Sequence, residues 1–268
     1  MLKLGKDVKV HETATIRVEE GSVGDRSVIS AHSVIEGRHV RIGNEAWIDE
    51  YAHIGGGGCF DPQSSLETGD FLHMGRFSHL NTGRGLWVGH EFGCGIGTKV
   101  FTHGAYESVW DGFPVQRGSV TIGDRVWMPN AWVNPNVRIG NDVVVAAMSL
   151  VTKDIPDGSL AGGIPCKVLR EKAYPRRLTS QEKRTLFETI FKESILIRNS
   201  RFPHCTSFPA SFEVIDEDTY MAERTVFNIG NRTIEGAATD FTEILKNQLR
   251  RNGIRFRFCV KGAAYERW

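Results

Sequence analysis

The sequence predicts a mainly β chain: a long parallel β-helix built of six-residue rows, followed by a small α+β unit. Three observations carry this. Aliphatic residues recur every six positions in two phased runs. The chain holds 29 glycines against 9 prolines, which suits many tight turns. Past residue 170 the six-residue period gives way to separate helix and strand patterns. A period of six matches neither the helical repeat of about 3.6 nor the strand repeat of about 2. It matches a short strand plus a tight corner, repeated, with three rows closing one triangular coil.

The first run is Val23, Ile29 and Ile35, then, after a one-residue slip at Arg41, Ile42, Ile48 and Ile54. The second is Ile122, Met128, Val133, Ile139, Val145 and Val151, with one five-residue row. Each of these side chains is expected to point into the prism and to stack on its equivalents above and below. The next position is often small or acidic (Gly24, Gly43, Asp49, Gly55, Gly123, Gly140, Ala146), as a corner needs. Four positions on, a small or β-branched residue recurs: Ser27, Ser33, Ala46, Ala52, Val126, Val143, Ser149. Between the runs fainter rows continue at Leu66, Leu72 and Ser78, then at Val88, Cys94 and Val100. Residues 104–119, GAYESVWDGFPVQRGS, break the pattern and read as a loop extruded from a coil. Loops of that kind on a rigid scaffold tend to carry function.

Residues 171–268 read as a separate α+β domain after a β-helix domain over 1–170. Thr179-Ser180-Gln181-Glu182 is a capping box, and Leu186, Phe187, Ile190, Phe191 and Ile195 give the helix behind it one apolar face. Residues 212–215 read as a short strand. Residues 225–229 and 232–235 flank Gly230-Asn231 as a hairpin. Asp240 and Glu243 are candidate caps of a second helix, which ends at Asn252-Gly253. Residues 254–260 alternate as a strand, and the four arginines at 250, 251, 255 and 257 read chiefly as a solvated face, the alternative being contact with an anionic or pyrophosphate-linked acceptor.

Composition narrows the function. A net charge of +1 gives no bulk electrostatic case for nucleic acid or a membrane surface. No stretch approaches the roughly 20 apolar residues of a membrane span, and the N-terminus has no signal-peptide core. Five scattered cysteines (Cys59, Cys94, Cys166, Cys205, Cys259) without CxxC spacing fit a reduced, cytoplasmic protein rather than a disulfide framework or a zinc site.

From Phe101 to Arg170 the chain carries Thr102-His103, Val120-Thr121-Ile122-Gly123-Asp124-Arg125-Val126-Trp127, Val137-Arg138-Ile139-Gly140-Asn141-Asp142 and Ser149-Leu150-Val151-Thr152-Lys153-Asp154-Ile155-Pro156. It closes on Ala161-Gly162-Gly163-Ile164-Pro165-Cys166-Lys167-Val168-Leu169-Arg170. This segment resembles the hexapeptide-repeat acyltransferases, in particular the maltose, galactoside and xenobiotic acetyltransferase branch. It departs from their pattern at Pro129, at Gly104-Ala105 after His103, at Ala146-Ala147-Met148 and at Cys166. The resemblance implies a left-handed parallel β-helix, a homotrimer with sites between subunits, and acetyl-CoA as acyl donor without a metal.

Acyl transfer from a thioester needs a base for the acceptor, donors for the developing oxyanion and a carrier held nearby. By resemblance His103 is the base, its imidazole oriented by a carboxylate, for which Glu107 and Asp111 are candidates, or by a backbone carbonyl. Tyr106, Trp110, Asp111 and Phe113 are candidates to hold a sugar ring through aromatic faces and a carboxylate, or else to pack the loop onto a neighbouring subunit. Asn81 and Arg84, in the Gly-rich middle segment, are candidate lining of the same cleft. The resemblance further implies that the pantetheine arm runs beside Trp127, Ala146 and Ala147. Lys153, Lys167 and Arg170 then meet the phosphates. The reading is acetylation of a sugar or saccharide hydroxyl or amine, as in surface-polysaccharide synthesis. A zinc hydratase resembling the γ-carbonic anhydrases, using His73, His79 and His90, and a non-catalytic hexapeptide scaffold are the alternatives.

Overall fold

The computed structural model describes residues 2–202 and 211–266; Cys205 falls outside them. The chain divides into two compact units, Met1–Arg176 and Arg177–Trp268. The first runs past residue 170 because Ala173 and Tyr174 donate their amides to the Gly158 carbonyl of the prism, at 2.6 and 3.2 Å.

The first unit is a left-handed parallel β-helix. Its strands are short, many of only two or three residues, and those of the coils pair in parallel with their equivalents in neighbouring coils, whereas the closing strand Lys167–Arg170 pairs antiparallel with Leu160–Gly162. Three inward columns result. In one, Ile16, Ile35, Ile54, Leu80, Val100, Val133 and Val151 follow one another in register. In the second, Val10, Ile29, Ile48, Met74, Cys94 and Met128 do so. The third includes Val23 and Ile42, then Thr68, Val88, Ile122 and Ile139. Apart from Val10, exposed at the first coil, and the half-buried Thr68, these side chains belong to one continuous apolar core along the prism axis.

The fainter middle rows have a different phase from the one expected. Thr68, Met74 and Leu80, not Leu66, Leu72 and Ser78, stand in register with the columns. Alternate residues of a strand share a face, so positions two apart both point inward. Leu66, Leu72 and Ser78 are buried too. They fill the position that holds Val40, Ala46 and Ala52 one coil earlier, and hydrophobicity alone cannot choose between the two positions.

The corners explain the small and polar residues of the repeat. At one corner Asp7, Arg26, Glu45, Phe71, Glu91, Arg125 and Asp142 all adopt left-handed φ between 53 and 62°. At a second, His32, Tyr51, Phe77 and Met148 do so. Serine two residues before the inward position bonds back across the turn: Ser27 to Gly24 O at 2.9 Å, Ser33 to Ser30 O at 2.7 Å, Ser149 to Ala146 O at 2.7 Å. The Gly-Asp and Gly-Asn pairs form a ladder between coils. Asn44 Oδ1 accepts from Asp25 N at 2.8 Å, and Asp70 Oδ1 from Asn44 N at 2.9 Å. A Cβ on Gly43 would lie 2.4 Å from Gly69 backbone, so the coil spacing itself demands glycine there.

The third corner takes every long insertion. Between Ile35 and Ile42 it gains one residue, the slip seen in the sequence, at Gly37 (φ 151°). In the next coils it gives out the segments 56–65, 82–85 and 102–119. The last is a hairpin whose neck pairs His103 with Arg117 and Gly104 with Gln116, with a 3-10 turn Val109–Asp111 at its tip.

The second unit packs helices α1 (Ser180–Arg201) and α2 (Asp240–Arg251) with a six-stranded antiparallel sheet. The capping box at Thr179 and Glu182 forms. Phe187, Ile190, Phe191, Ser194 and Arg198 are the buried stripe of α1, whereas Leu186 is exposed because it falls off that stripe at helical spacing. α2 is capped by Thr239, which receives Thr242 N, rather than by Asp240 or Glu243. The strand Thr219–Ala222 joins the hairpin Thr225–Asn228 and Thr233–Ala237. Residues 254–258 form only a bridge at Arg257, and the regular strand begins at Cys259. The core is aromatic, with Phe187 and Tyr220 stacked at 4.0 Å.

Candidate active site

Three consecutive insertions at the third corner bring together what the site needs. Asn81 ends the strand His79–Asn81, and His103 begins the neck of the extruded hairpin one coil on. Asn81 is buried, 3% exposed. Its Nδ2 donates to two carbonyls of the glycine run, Gly55 O at 3.1 Å and Gly57 O at 3.3 Å. Carbonyl oxygens only accept, so these two bonds fix which end of the amide is nitrogen. Oδ1 therefore faces the other way, where it accepts from Thr102 Oγ1 at 2.5 Å and from His103 Nδ1 at 2.9 Å.

That chain of donors and acceptors sets the tautomer of His103. An amide oxygen accepts only from Nδ1–H, so a neutral imidazole keeps its lone pair on Nε2. The ring sits between two glycines. A Cβ on Gly83 would lie 2.9 Å from Nδ1, and one on Gly57 3.2 Å from Nε2. Neither position has room for a side chain without pressing on the imidazole, and Gly57, on the Nε2 side, is exposed. The arrangement can take a proton at Nε2 from a group arriving over the glycine run.

The orienting partner is an amide, where the sequence pointed to a carboxylate. Glu107 and Asp111 stand on the exposed outer part of the hairpin, and the ring nitrogen they were expected to hold is bonded to Asn81. Asn81 was expected to line the cleft; burial turns its side chain to its own neighbours instead. Arg84 is tied down beside it: Nη1 donates to Gly83 O at 2.9 Å and to Gln63 Oε1 at 3.3 Å, and pairs with Asp61 at 3.5 Å. Tyr106, Trp110 and Phe113 are on the hairpin with large exposed faces, Tyr106 at 97% and Trp110 at 94%.

The residues expected near a carrier lie toward the last coils. Trp127 lies across Gly93, whose Cβ would come 2.6 Å from the indole. Ala146 already donates its amide to Ala161 O at 2.8 Å, which removes it as a donor to a bound arm; Ala147 beside it is exposed. Lys153 follows the strand Ser149–Val151, and Lys167 and Arg170 bound the final strand Lys167–Arg170, all three exposed.

A second group at this corner joins His79, which the sequence offered only as a zinc ligand, to His53 and Glu36, which it did not single out. His79 Nε2 donates to Gly55 O at 3.2 Å, the same carbonyl that Asn81 holds. Its ring stacks on His53 at 4.7 Å, and His53 Nε2 donates to Glu36 Oε1 at 3.2 Å. Burial, with the nearby His53, Lys99 and His103, holds the pKa of His79 below the usual imidazole value. For Glu36 burial works upward, but the bonds from Arg17 and His53 outweigh it and hold the carboxyl below its usual range. The available signal was the run of four glycines at 55–58 together with Gly83, each at an insertion of the same corner.

Among the described residues no group of three or more His, Cys, Asp or Glu is placed to hold a metal ion. His73 and His79 lie in different sheets, and His90 accepts Asp70 N at 3.0 Å on a corner. This does not favour the zinc reading. No described helix is long and apolar enough to cross a membrane.

No protein-family profile matches the chain. It is similar to the galactoside O-acetyltransferase of Escherichia coli, 29% identical over 150 residues, 52% of this chain and 67% of that protein. It is similar to a chloramphenicol acetyltransferase of Klebsiella aerogenes, 26% identical over 167 residues, 58% of this chain and 75% of that one. The galactoside O-acetyltransferase of Lactococcus lactis matches at 37% over 89 residues, 32% of this chain and less than half, 43%, of that protein. With the coiled fold, these relatives bear out the resemblance to the hexapeptide-repeat acyltransferases. By class the protein is an acyltransferase, and its similarity runs to the galactoside and chloramphenicol acetyltransferases.

Proposed function

We propose that the protein transfers an acetyl group from acetyl-CoA to a hydroxyl or amine of a sugar or saccharide. The observation that supports this most is the 2.9 Å bond between His103 Nδ1 and Asn81 Oδ1, which leaves the Nε2 lone pair for the acceptor. In this reading Nε2 takes the acceptor proton as the acceptor attacks the thioester carbonyl. Backbone amides hold the oxyanion. The intermediate collapses with loss of the CoA thiolate, to which the imidazolium returns the proton.

Trp127, the Ala147 turn, Lys153, Lys167 and Arg170 bind the carrier along the last coils. Tyr106, Trp110, Asp111 and Phe113 close over the acceptor. The near-complete exposure of Tyr106 and Trp110 in the isolated chain supports a partner surface for them, which the trimer of the resemblance supplies. The similarity to galactoside O-acetyltransferases supports the sugar acceptor. A cytoplasmic setting, with the first unit as the catalytic domain and surface polysaccharide as the product class, completes the proposal.

The test is His103→Ala, followed by release of free CoA thiol with acetyl-CoA and a panel of sugars, and by calorimetric titration with CoA. Loss of about a hundredfold or more in kcat with CoA affinity kept is the expected result. Full activity in the variant would remove His103 as the base.

A further inference from the structure

We infer that His79 is a positioning residue for the candidate base, acting through Gly55 and Asn81; the inference rests on the acyl-transfer reading of His103. The connection is continuous. His79 Nε2–H and Asn81 Nδ2–H donate to one carbonyl, Gly55 O, at 3.2 and 3.1 Å. The amide so held presents Oδ1 to His103 Nδ1 at 2.9 Å.

The need for a second donor follows from the segment. Gly55, Gly56 and Gly58 adopt φ of 129, 90 and 75°. Gly55 ends the strand His53–Gly55, and the glycines that follow have little backbone preference, so the direction in which its carbonyl leaves the strand depends on what donates to it. With Asn81 as its sole donor that carbonyl can turn away, which leaves Asn81 Nδ2 only the longer 3.3 Å bond to Gly57 O. The amide can then turn over and offer NH₂ instead of oxygen to His103. That would force the imidazole to the Nε2–H tautomer, which cannot take a proton at Nε2. A donor on a separate, rigid support prevents this, and His79 has one. Its ring stacks on His53 with 13° between planes, Phe101 meets its edge at 6.3 Å, and His53 is bonded to Glu36, itself paired with Arg17. These groups come from successive coils of one prism face, so the support is the β-helix itself.

Two substitutions separate this role from simple packing. His79→Phe keeps an aromatic ring to stack on His53 and removes the N–H. His79→Gln gives up the ring and keeps an N–H near the ε position. Positioning predicts that Gln outperforms Phe, and packing predicts the reverse.

The primary readout is the tautomer of His103 in the full chain, by long-range proton–nitrogen NMR of the imidazoles, with the signal assigned by its loss in His103→Ala. We expect Nδ1–H in the wild type and in His79→Gln, and a predominantly Nε2–H ring in His79→Phe. Nδ1–H retained in His79→Phe overturns the inference. This reading needs no turnover, so it stands apart from a failure of the proposed activity. Where turnover is measured, His79→Phe should lose about tenfold or more in kcat, with acceptor KM within about twofold, and His79→Gln should recover most of it. Equal kcat in the two variants overturns it as well.

Discussion

Removing the Asn81 amide tests the site most directly, because so many bonds meet there. In Asn81→Ala the buried side chain loses two donors to carbonyls and an oxygen that serves Thr102 and His103. Gly55 O keeps His79, but the Thr102 hydroxyl and the His103 Nδ1–H lose that acceptor. A buried group so orphaned costs about 1–3 kcal/mol. With two such groups, and water refilling part of the space, the expected loss is about 2–4 kcal/mol, or roughly 5–15 °C in the melting of the prism. The bond that selects Nδ1–H over Nε2–H is worth about 1–1.5 kcal/mol, close to tenfold in tautomer population. Loss of ring alignment adds about another tenfold or more, so kcat should fall about a hundredfold. The assay is release of free CoA thiol at saturating acetyl-CoA below the variant's melting temperature, with CoA affinity measured separately. Turnover within about twofold of wild type would refute the orienting role of Asn81, and an unchanged melting temperature would refute the buried network.

Gly57→Ala should act at the opposite nitrogen. Its Cβ would lie 3.2 Å from His103 Nε2 at an exposed position with φ outside the left-handed region, so we expect about a tenfold loss in acceptor kcat/KM with little change in melting. Wild-type kinetics in that variant would show that acceptors do not approach over the glycine run. Cys94, fully buried in the core, has its thiol pushed up by burial from an ordinary value of 9.0 to about 12. Because its folded pKa is the higher one, the contribution is intact below pH 9 and is lost as pH rises toward 12. Denaturant midpoints should fall above pH 9 with a slope of up to about 1.4 kcal/mol per pH unit from this group, and Cys94→Ala should remove that share. An unchanged slope in the variant would place the alkaline loss elsewhere.

The coil was legible in the sequence wherever one inward position of a row held a large aliphatic residue and the other a small one. Ala46 before Ile48 and Ser149 before Val151 give an unambiguous phase of six. Leu72 before Met74 does not, since both are apolar and both are buried. The extruded hairpin was visible because nothing in residues 104–119 can continue a row, and its neck begins at His103. What the hairpin does to its own charges was not visible. Glu107 is close to His103 in sequence and natural to pair with it, yet a hairpin leads the chain away from the prism, whereas Asn81 returns to the same corner one coil earlier. In the second unit α1 followed from its capping box and apolar stripe. Residues 254–258 alternate without forming a strand, because a pattern of period two records which side is buried and not whether a neighbouring strand is there to bond.

The placement of the site follows from the geometry of the repeat. At the corner of the glycine ladder the coils leave no room for a side chain, as the 2.4 Å approach at Gly43 shows. Insertions are therefore admitted only where the chain leaves the prism. Here the third corner admits them in three successive coils, and the loops so released face one another. The strands beneath them are bonded on both sides, so each loop starts from a fixed register. Asn81 and His103 stand at the last regular positions before their loops depart, which gives them the rigidity of the sheet and access to whatever the loops enclose. The same logic sets Glu36, His53 and His79 on the supporting face: His79 and Asn81 donate to the carbonyls of the glycine run, and His53, bonded to Glu36, stacks beneath His79. A repeat that fixes the register of its strands can hold one imidazole in one tautomer through an amide rather than a carboxylate.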